Sequence, residues 1–141
     1  MSIEQNKTAC RRIIDELWNK KVKPALVPEL IAPNFVLHGP KDIQGPEGYQ
    51  QWITTHQNVF PDFHVGIEKA VAEGDLVALS GTFGGTFKGG EYMGTKPTGK
   101  QNSTPYAALF RFKQGKAVDE CRFSGYMTTL SQVNVPPIFS C

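Results

Sequence analysis

Glycine is concentrated in one part of this chain, and this limits what the chain can fold into. Seven of the fourteen glycines fall between Gly81 and Gly99. From residue 76 to residue 87 they belong to a period-two pattern of the kind that predicts a β-strand. Glycine inside a strand usually marks a bulge, a bend or a close approach of another backbone. Because such bends let a short sheet curl, the pattern predicts a curved sheet around a pocket.

The stretch "GTFKGGEYMGTKPTGK" at residues 85–100 continues this glycine-rich region. It contains no His, Cys or Asp, which are residue types that commonly carry acid, base or nucleophilic chemistry. We therefore predict that the stretch is a bend that shapes the rim of the pocket.

Two amphipathic helices are predicted before the strands begin. Ser2 and Gln5 fit a capping box at the start of the first helix. Its apolar face repeats at helical spacing and consists of Cys10, Ile13, Ile14, Leu17 and Trp18. The second helix covers residues 45–60, and one of its faces carries Tyr49, Trp52, Ile53, His56 and Phe60. A short helical segment is predicted between them, within residues 24–32.

Strand patterns dominate the rest of the chain. A short strand is predicted at residues 34–39, and period-two patterns cover residues 63–71, 76–87, 104–113 and 117–127. Turn sequences at residues 73–75 and 114–116 join them as antiparallel hairpins. Helices followed by hairpins predict one α+β domain over residues 1–141, with helices on one face of a curved antiparallel sheet and a tail from about residue 133.

Composition excludes several classes of protein. The net charge is +2 and the basic residues are scattered, so we expect no nucleic-acid partner. No apolar run reaches the roughly 18 residues that span a bilayer, so we expect no membrane partner. The three cysteines are too far apart for a C-x-x-C motif, and an odd number argues against a secreted disulfide framework. A cytoplasmic location is the resulting expectation.

Seven segments, taken in order, carry a resemblance to a known family. They are "LWN" (17–19), "APNFVLHGP" (32–40), "GPEGYQQW" (45–52), "FPDF" (60–63), "AEGDLVALSGTF" (72–83), the glycine-rich stretch and "FRFKQGKAVDE" (110–120). Together they resemble the SnoaL-like polyketide cyclase family, which belongs to the nuclear transport factor 2-like superfamily together with ketosteroid isomerase. The resemblance covers roughly residues 12–133. It implies a cone-shaped α+β barrel, a homodimer packed through its sheets, a hydrophobic ring compound as ligand, and no metal or organic cofactor.

The chain departs from this family at the positions that carry its chemistry. The family's Gly-Thr-His aligns with Gly85, Thr86 and Phe87, so that His is replaced by Phe. The family's Trp aligns with Cys121, and its acid/base Asp aligns with Gly125. The resemblance therefore implies a protein that binds a hydrophobic cyclic or polyketide-like molecule. Whether it is a cofactor-free cyclase or isomerase, a non-catalytic carrier or sensor, or an assembly module stays open.

Two histidines are the candidate catalytic residues. His38 stands where the family commonly has a His followed by Pro two positions later, and its alternative role is to hold the loop before Pro40. His56 lies on the helix face that would look into the pocket, and its alternative role is that of a core histidine with a satisfied hydrogen bond. Histidine is the side chain whose pKa is most easily tuned near neutrality, which suits a proton shuttle.

The other candidates are predicted to bind the ligand. Most of them are aromatic, and packing in the core is their alternative role. The alternative role of Arg111 is a structural or dimer-interface ion pair. Strict alternation along the last strand predicts that Cys121 and Phe123 face inward. The candidates are Trp52, Phe83, Phe87, Tyr92, Tyr106, Arg111, Cys121, Phe123 and Gly125.

Overall fold

The three predicted helical segments precede the long strands along the chain, as the sequence predicts, and a further helix follows the last strand. The computed structural model describes residues 2–39, 41–124 and 126–135, and within them four helices pack on a sheet of seven strands. The helices are α1 (Ile3–Arg12), which continues as a π-helical segment (Ile13–Trp18), α2 (Val27–Leu30), α3 (Gly45–Val59) and α4 (Tyr126–Gln132). The strands are β1 (Ile31–His38), β2 (Ile43–Gln44), β3 (His64–Val65), β4 (Lys69–Glu73), β5 (Leu76–Thr86), β6 (Gln101–Lys113) and β7 (Lys116–Ser124).

The sheet runs in the order β2-β1-β7-β6-β5-β3, and β4 also pairs with β5. All of these pairs are antiparallel except β1 with β7, so the sheet is mixed rather than purely antiparallel. Hydrogen bonds between the described strands do not close it into a barrel. The α+β prediction is confirmed, with one parallel pair that hairpin reasoning could not foresee because β1 and β7 lie far apart in the chain.

The core lies between α1, its π-helical continuation, α3 and the inner face of the sheet. The predicted capping box is present, because Ser2 Oγ accepts from Gln5 N–H and Gln5 Oε1 accepts from Ser2 N–H. The apolar face predicted for the first helix is at most 2 % exposed at every position. Burying such a face is what stabilises a short helix inside a protein.

Strand β7 contains one irregularity that decides which of its side chains face inward. Ala117 lies opposite Phe112, whereas Asp119, two residues later, lies opposite Arg111, the residue just before Phe112. Val118 is therefore an extra residue, a β-bulge, and the alternation of side chains shifts by one position after it. As a result Glu120, rather than its neighbours in the chain, points into the core.

Two glycines show why the region after residue 80 needs this residue type. A Cβ atom on Gly81 would collide with the carbonyl oxygen of Gly66, and one on Gly89 would collide with that of Asn58. Neither collision could be relieved by a rotamer change, because the obstructing atoms belong to the backbone. The glycines thus permit close backbone approaches where β5 passes β3 and where the following loop meets α3.

A second apolar cluster closes the end of the sheet. Leu130 of α4 packs there with Phe60 and Phe87, and the chain continues into it with Val133 and Val135, which are 0 % and 3 % exposed. The strand predicted to reach residue 127 ends at Ser124, and α4 follows. Residues 136–141 of the predicted tail lie outside the described residues. No described helix combines the length and apolar character that crossing a bilayer requires.

Candidate functional site

A small cavity lies between the inner face of the sheet and the helices. It encloses about 90 Å³. Its apolar wall includes Ile14, Trp18, Phe60, Phe63, Val65, Phe83 and Ala108. Polar side chains also reach it, among them His56, Glu120 and Arg122. A wider open groove of about 970 Å³ lies beside the β4–β5 and β6–β7 turns, but no charged side chain buried in the core lines it.

An ion pair forms the polar centre of this cavity. Glu120 is 0 % exposed, and its Oε2 accepts hydrogen bonds from Arg122 Nη2 at 2.6 Å and from Arg122 Nε at 2.9 Å. Both residues come from β7 beyond the bulge and therefore share its inner face. Burial alone would lower the pKa of Arg122, but the carboxylate of Glu120 raises it above its ordinary value. The guanidinium is accordingly charged at every physiological pH.

Two further side chains hold this pair in place. Tyr49 of α3 donates from Oη to Glu120 Oε1 at 3.1 Å, and Trp18 donates from Nε1 to Tyr49 Oη at 2.9 Å. The guanidinium of Arg122 also lies over the Trp18 ring, with Cζ 5.0 Å from the ring centre. Burial, followed by the charge of Glu120, raises the pKa of Tyr49, so its hydroxyl stays protonated and can donate. Both carboxylate oxygens of Glu120 are therefore hydrogen-bonded.

The position of Trp18 is fixed by its own neighbours in the chain and by α3. Asn19 exchanges two hydrogen bonds with the backbone of Val65, one from its Nδ2 at 2.8 Å and one to its Oδ1 at 2.7 Å. Gln57 donates from Nε2 to the carbonyl oxygens of Leu17 and Trp18, each at 3.2 Å. These bonds satisfy the carbonyls that a helix end leaves without partners.

His56 lies in the cavity wall as a neutral imidazole. Its Nδ1 is 2.9 Å from the carbonyl oxygen of Trp52, and since a carbonyl only accepts, Nδ1 carries the proton. Nε2 is then the unprotonated nitrogen. Burial lowers the pKa of His56 to about 4, the nearby charge of Arg122 acts in the same direction, and the bond to Trp52 opposes them. Nε2 can therefore accept a proton or a hydrogen bond at neutral pH.

One hydrogen-bond donor of Arg122 is not used by the other side chains of the cavity. Its Nε and Nη2 serve Glu120, and Nη1 has no hydrogen-bond partner among the described residues. The charges of Glu120 and Arg122 offset each other, so the cavity as a whole is close to neutral. No group of three or more His, Cys, Asp or Glu side chains in the described part of the chain could hold a metal ion.

Five of the residues predicted from the sequence line the cavity. They are His56, Trp52, Phe83, Tyr92 and Tyr106. The hydroxyl of Tyr106 donates to the carbonyl oxygen of Gly66 at 2.9 Å, and burial raises its pKa to about 12. Tyr106 therefore contributes its ring to the wall while its proton is held by the backbone.

Five others lie elsewhere. His38 is exposed at the end of β1, 4.0 Å from Asp42, and Phe87 is fully buried in the second cluster. Arg111 pairs with Asp75 at 2.9 Å on the outer face of the sheet, which agrees with its alternative, structural role. The inward direction predicted for Cys121 and Phe123 is not observed, because the bulge at Val118 turns both outward. Gly125 lies outside the described residues.

Glu120, Arg122 and Tyr49 are the site residues that sequence reasoning missed. Strict alternation from Ala117 placed Asp119 on the inner face and excluded Glu120. The adjacent apolar residues Ala117 and Val118 are a signal that the alternation breaks there. An acidic and a basic residue two positions apart on one strand, as Glu120 and Arg122 are, then share a face and can pair.

The comparisons with known proteins agree with this fold. The family model of the SnoaL-like polyketide cyclases matches residues 8–133. A structure from Jannaschia sp. CCS1, a proposed SnoaL-like polyketide cyclase, is 23 % identical with a TM-score of 0.86, and the match covers 97 % of each chain. IdmH from Streptomyces antibioticus, a proposed polyketide cyclase, is 27 % identical with a TM-score of 0.78, over 93 % of this chain and 99 % of that one.

A third solved structure extends the likeness in fold to a protein with a ketosteroid isomerase-like fold. This protein from Catenulispora acidiphila DSM 44928 has a ketosteroid isomerase-like fold and was solved in complex with trimethylamine. It is 21 % identical with a TM-score of 0.72, and the match covers 99 % of this chain and 100 % of that one. No curated protein matches the chain.

The lowered pKa of His56 predicts how stability depends on pH. In the unfolded chain His56 binds a proton as the pH falls through about 6.5, whereas in the folded protein it does so only near pH 4. The free energy of unfolding should therefore fall by about 3 kcal/mol between pH 6.5 and pH 4 because of this residue. Urea denaturation at several pH values should show that His56→Gln lacks this part of the dependence.

His64→Gln is the matched control for this measurement, since His64 is an exposed histidine on β3. This variant should follow the wild-type pH dependence. If His56→Gln lost stability between pH 6.5 and pH 4 as steeply as the wild type, His56 would not be buried in its neutral form.

Proposed function

Since this chain belongs to the SnoaL-like polyketide cyclase family, we propose that its cavity binds a compact hydrophobic ring compound and that His56 and Arg122 enolise it. The observation that carries the proposal is the arrangement of Arg122, whose Nη1 has no partner in the described chain while Glu120 fixes the rest of the guanidinium. A donor fixed in this way, inside a largely apolar wall, suits an oxygen atom that becomes negatively charged during a reaction.

The reaction begins with a proton transfer. Nε2 of His56 takes a proton from the carbon next to a ring carbonyl, and the electron pair of the C–H bond forms the new carbon–carbon double bond. The π electrons of the carbonyl move to its oxygen, where Arg122 stabilises the enolate. Return of the proton to another carbon of the conjugated system gives an isomer. Attack of the enolate carbon on a second carbonyl of the same molecule closes a ring, and the alkoxide that forms takes the proton back from His56 Nε2.

The low pKa of His56 suits its role as the base that removes the proton. A histidine with a pKa of about 4 remains unprotonated at neutral pH and so is ready to act as a base. The same low pKa makes it a weak base, so the reaction depends on Arg122 to make the carbon acid stronger. The chemistry expected of the family's lost His and Asp thus passes to residues at other positions.

Binding without turnover is the alternative function. Glu120 is the one carboxylate among the described residues that line the cavity, and both of its oxygens already accept hydrogen bonds. A carrier or sensor would need only the apolar wall and the donors of Arg122. At about 90 Å³ the cavity is smaller than the roughly 150 Å³ that is known to hold benzene, so a ligand with a single ring enters only when side chains of the wall move.

Two probe ketones test the proposal. Cyclohexanone in D₂O reports enolisation by uptake of deuterium next to the carbonyl, and 3-cyclohexenone reports isomerisation by the absorbance of its conjugated product. We expect the protein to accelerate both reactions, and His56→Gln and Arg122→Met each to lower the rate at least tenfold, as is typical for loss of an acid/base or oxyanion-binding group.

His64→Gln is the control and should react at the wild-type rate. His38→Gln tests the other histidine predicted from the sequence, and its exposed position leads us to expect the wild-type rate as well. A thermal-shift screen of ring ketones, steroids and polyketides decides between the two functions, because a bound ligand raises the melting temperature even when it is not turned over. Ligands recovered intact, without deuterium, would favour the carrier.

We further propose that two copies of the chain associate through the outer face of β6 and β7. Leu109 and Phe123 are exposed there by 37 % and 67 %. Cys121 lies opposite Leu109 and Ala107 opposite Phe123, so the side chains form a contiguous apolar patch. Such a patch on a sheet is typical of a protein–protein interface, and the family resemblance implies a homodimer.

Sedimentation velocity tests this association. Phe123→Glu places a charge in the patch and should convert the dimer to a monomer. Ile3→Glu is the matched control, since Ile3 is 43 % exposed but lies on α1 and not on the outer face of the sheet, and this variant should remain dimeric. A wild-type chain that sediments as a monomer would refute the proposal.

A further inference from the structure

The two tryptophans of this chain differ in how their indole N–H groups are satisfied. Trp18 donates from Nε1 to Tyr49 Oη at 2.9 Å. Trp52 Nε1 is just as inaccessible to solvent but has no hydrogen-bond partner. A buried donor without a partner costs about 1–3 kcal/mol, so such groups in native structures call for an explanation.

The position of Trp52 in the cavity wall offers an explanation for its unsatisfied donor. Its indole forms part of the cavity wall, and its ring centre is 4.4 Å from that of His56. The unsatisfied donor thus belongs to a residue that packs directly on the proposed base. An oxygen atom held by Trp52 Nε1 would lie beside the imidazole that removes the proton.

The unused hydrogen-bonding groups of the cavity define what a ligand must offer. Trp52 Nε1 and Arg122 Nη1 can only donate, and neither has a partner among the described residues. Trp52 Nε1 has essentially no accessible surface, so a ligand oxygen reaches it only when neighbouring side chains of the wall move. A ligand that binds both must present acceptor oxygens and no ammonium group. Because Glu120 and Arg122 offset each other and His56 is neutral, an uncharged ligand avoids bringing a net charge into this apolar wall.

We propose that Trp52 Nε1 is the hydrogen-bond donor by which the cavity selects uncharged ring compounds bearing an acceptor oxygen, such as ring ketones, lactones and quinones. This rests on the proposed function, since it takes the cavity as the ligand site. Trp52 is a specificity residue in this account. It distinguishes an oxygen-bearing ring from a hydrocarbon of the same shape, while His56 carries the proton.

The test uses cyclohexanone and methylenecyclohexane, which have the same shape but differ in the acceptor oxygen. Trp52→Phe removes the N–H and keeps an aromatic ring in the wall. We expect this variant to bind cyclohexanone about tenfold more weakly than the wild type, as befits the loss of one hydrogen bond, and to bind methylenecyclohexane with unchanged affinity. Equal affinity of Trp52→Phe and the wild type for cyclohexanone would overturn the proposal.

The two indoles also provide a direct spectroscopic readout. The chain contains two tryptophans, so a ¹H–¹⁵N spectrum shows two indole N–H signals, and the spectrum of Trp52→Phe assigns them. Addition of cyclohexanone should shift the Trp52 signal strongly downfield, and addition of methylenecyclohexane should not. A Trp52 signal that responds equally to both compounds would overturn the proposal without relying on any variant.

The melting temperature distinguishes an indole N–H that binds a ligand from one that has a partner inside the protein. Trp52→Phe removes an unsatisfied donor, so its melting temperature should stay within a few degrees of the wild type. Trp18→Phe is the matched variant at a satisfied indole, and it should melt well below the wild type because Tyr49 loses its partner. A fall for Trp52→Phe as large as that for Trp18→Phe would show that Trp52 Nε1 has a partner inside the protein.

Arg122→Met distinguishes failure of this inference from failure of the proposed function. If Arg122→Met loses the preference for cyclohexanone over methylenecyclohexane but Trp52→Phe keeps it, the ligand site stands and the role of Trp52 falls. If the wild type binds neither compound in the cavity, as judged by unchanged signals of both indoles, the proposed function fails together with this inference.

Discussion

A buried ion pair is the interaction on which the rest of this structure depends. Glu120 is fully buried, and the side chain of Arg122 keeps only 22 % of its surface exposed. Burying a charge costs several kcal/mol, and mutual attraction repays this only when the geometry is good and the remaining hydrogen-bonding atoms are satisfied. The fold meets that condition for the carboxylate of Glu120, whose two oxygens both accept hydrogen bonds, whereas Nη1 of Arg122 has no partner among the described residues. Arg122 occupies one carboxylate oxygen, Tyr49 of α3 occupies the other, and Trp18 of the π-helical segment holds Tyr49. The cavity is the space that these anchored groups leave between sheet and helices.

Features that depend on contacts between residues close in the sequence could be predicted, whereas features that depend on contacts between distant residues could not. The first three helices followed from local signals, such as the Ser2–Gln5 capping box and the spacing of Ile13, Ile14 and Leu17, and the structure has them where they were predicted. Helix α4 was not predicted, because the strand pattern was extended to residue 127. The close backbone approach at Gly81 likewise follows from a local pattern, a glycine inside a strand. The ion pair did not, because a single extra residue, Val118, reverses the face of every later side chain in β7. Nor could a local pattern show that β1 pairs in parallel with β7 or that Val133 and Val135 pack into a second cluster.

The change of side-chain face in β7 also changes how the replacement of the family's catalytic residues is interpreted. With Cys121 and Phe123 expected to face inward and the family's His replaced by Phe87, the sequence suggested a pocket that had become more apolar, with His38 and His56 as its catalytic candidates. In the structure the cavity keeps a guanidinium, a neutral imidazole and an indole N–H. Phe87 instead packs against Phe60 in the second cluster, with ring centres 6.0 Å apart. The position of the lost His therefore serves packing, and the polar groups that could do chemistry come from β7 and α3.

The central claim is that Glu120 holds Arg122 in the cavity, and the stability of Glu120→Gln tests it most directly. Glutamine keeps the shape of the side chain but leaves the guanidinium without its counter-charge, so urea denaturation should show a loss of about 3 kcal/mol. Asp119→Asn is the matched comparison, since this neighbour is 34 % exposed, its carboxylate lies 3.7 Å from Arg111, and removal of such a surface charge should cost less than about 1 kcal/mol. Equal, small losses in the two variants would contradict the account.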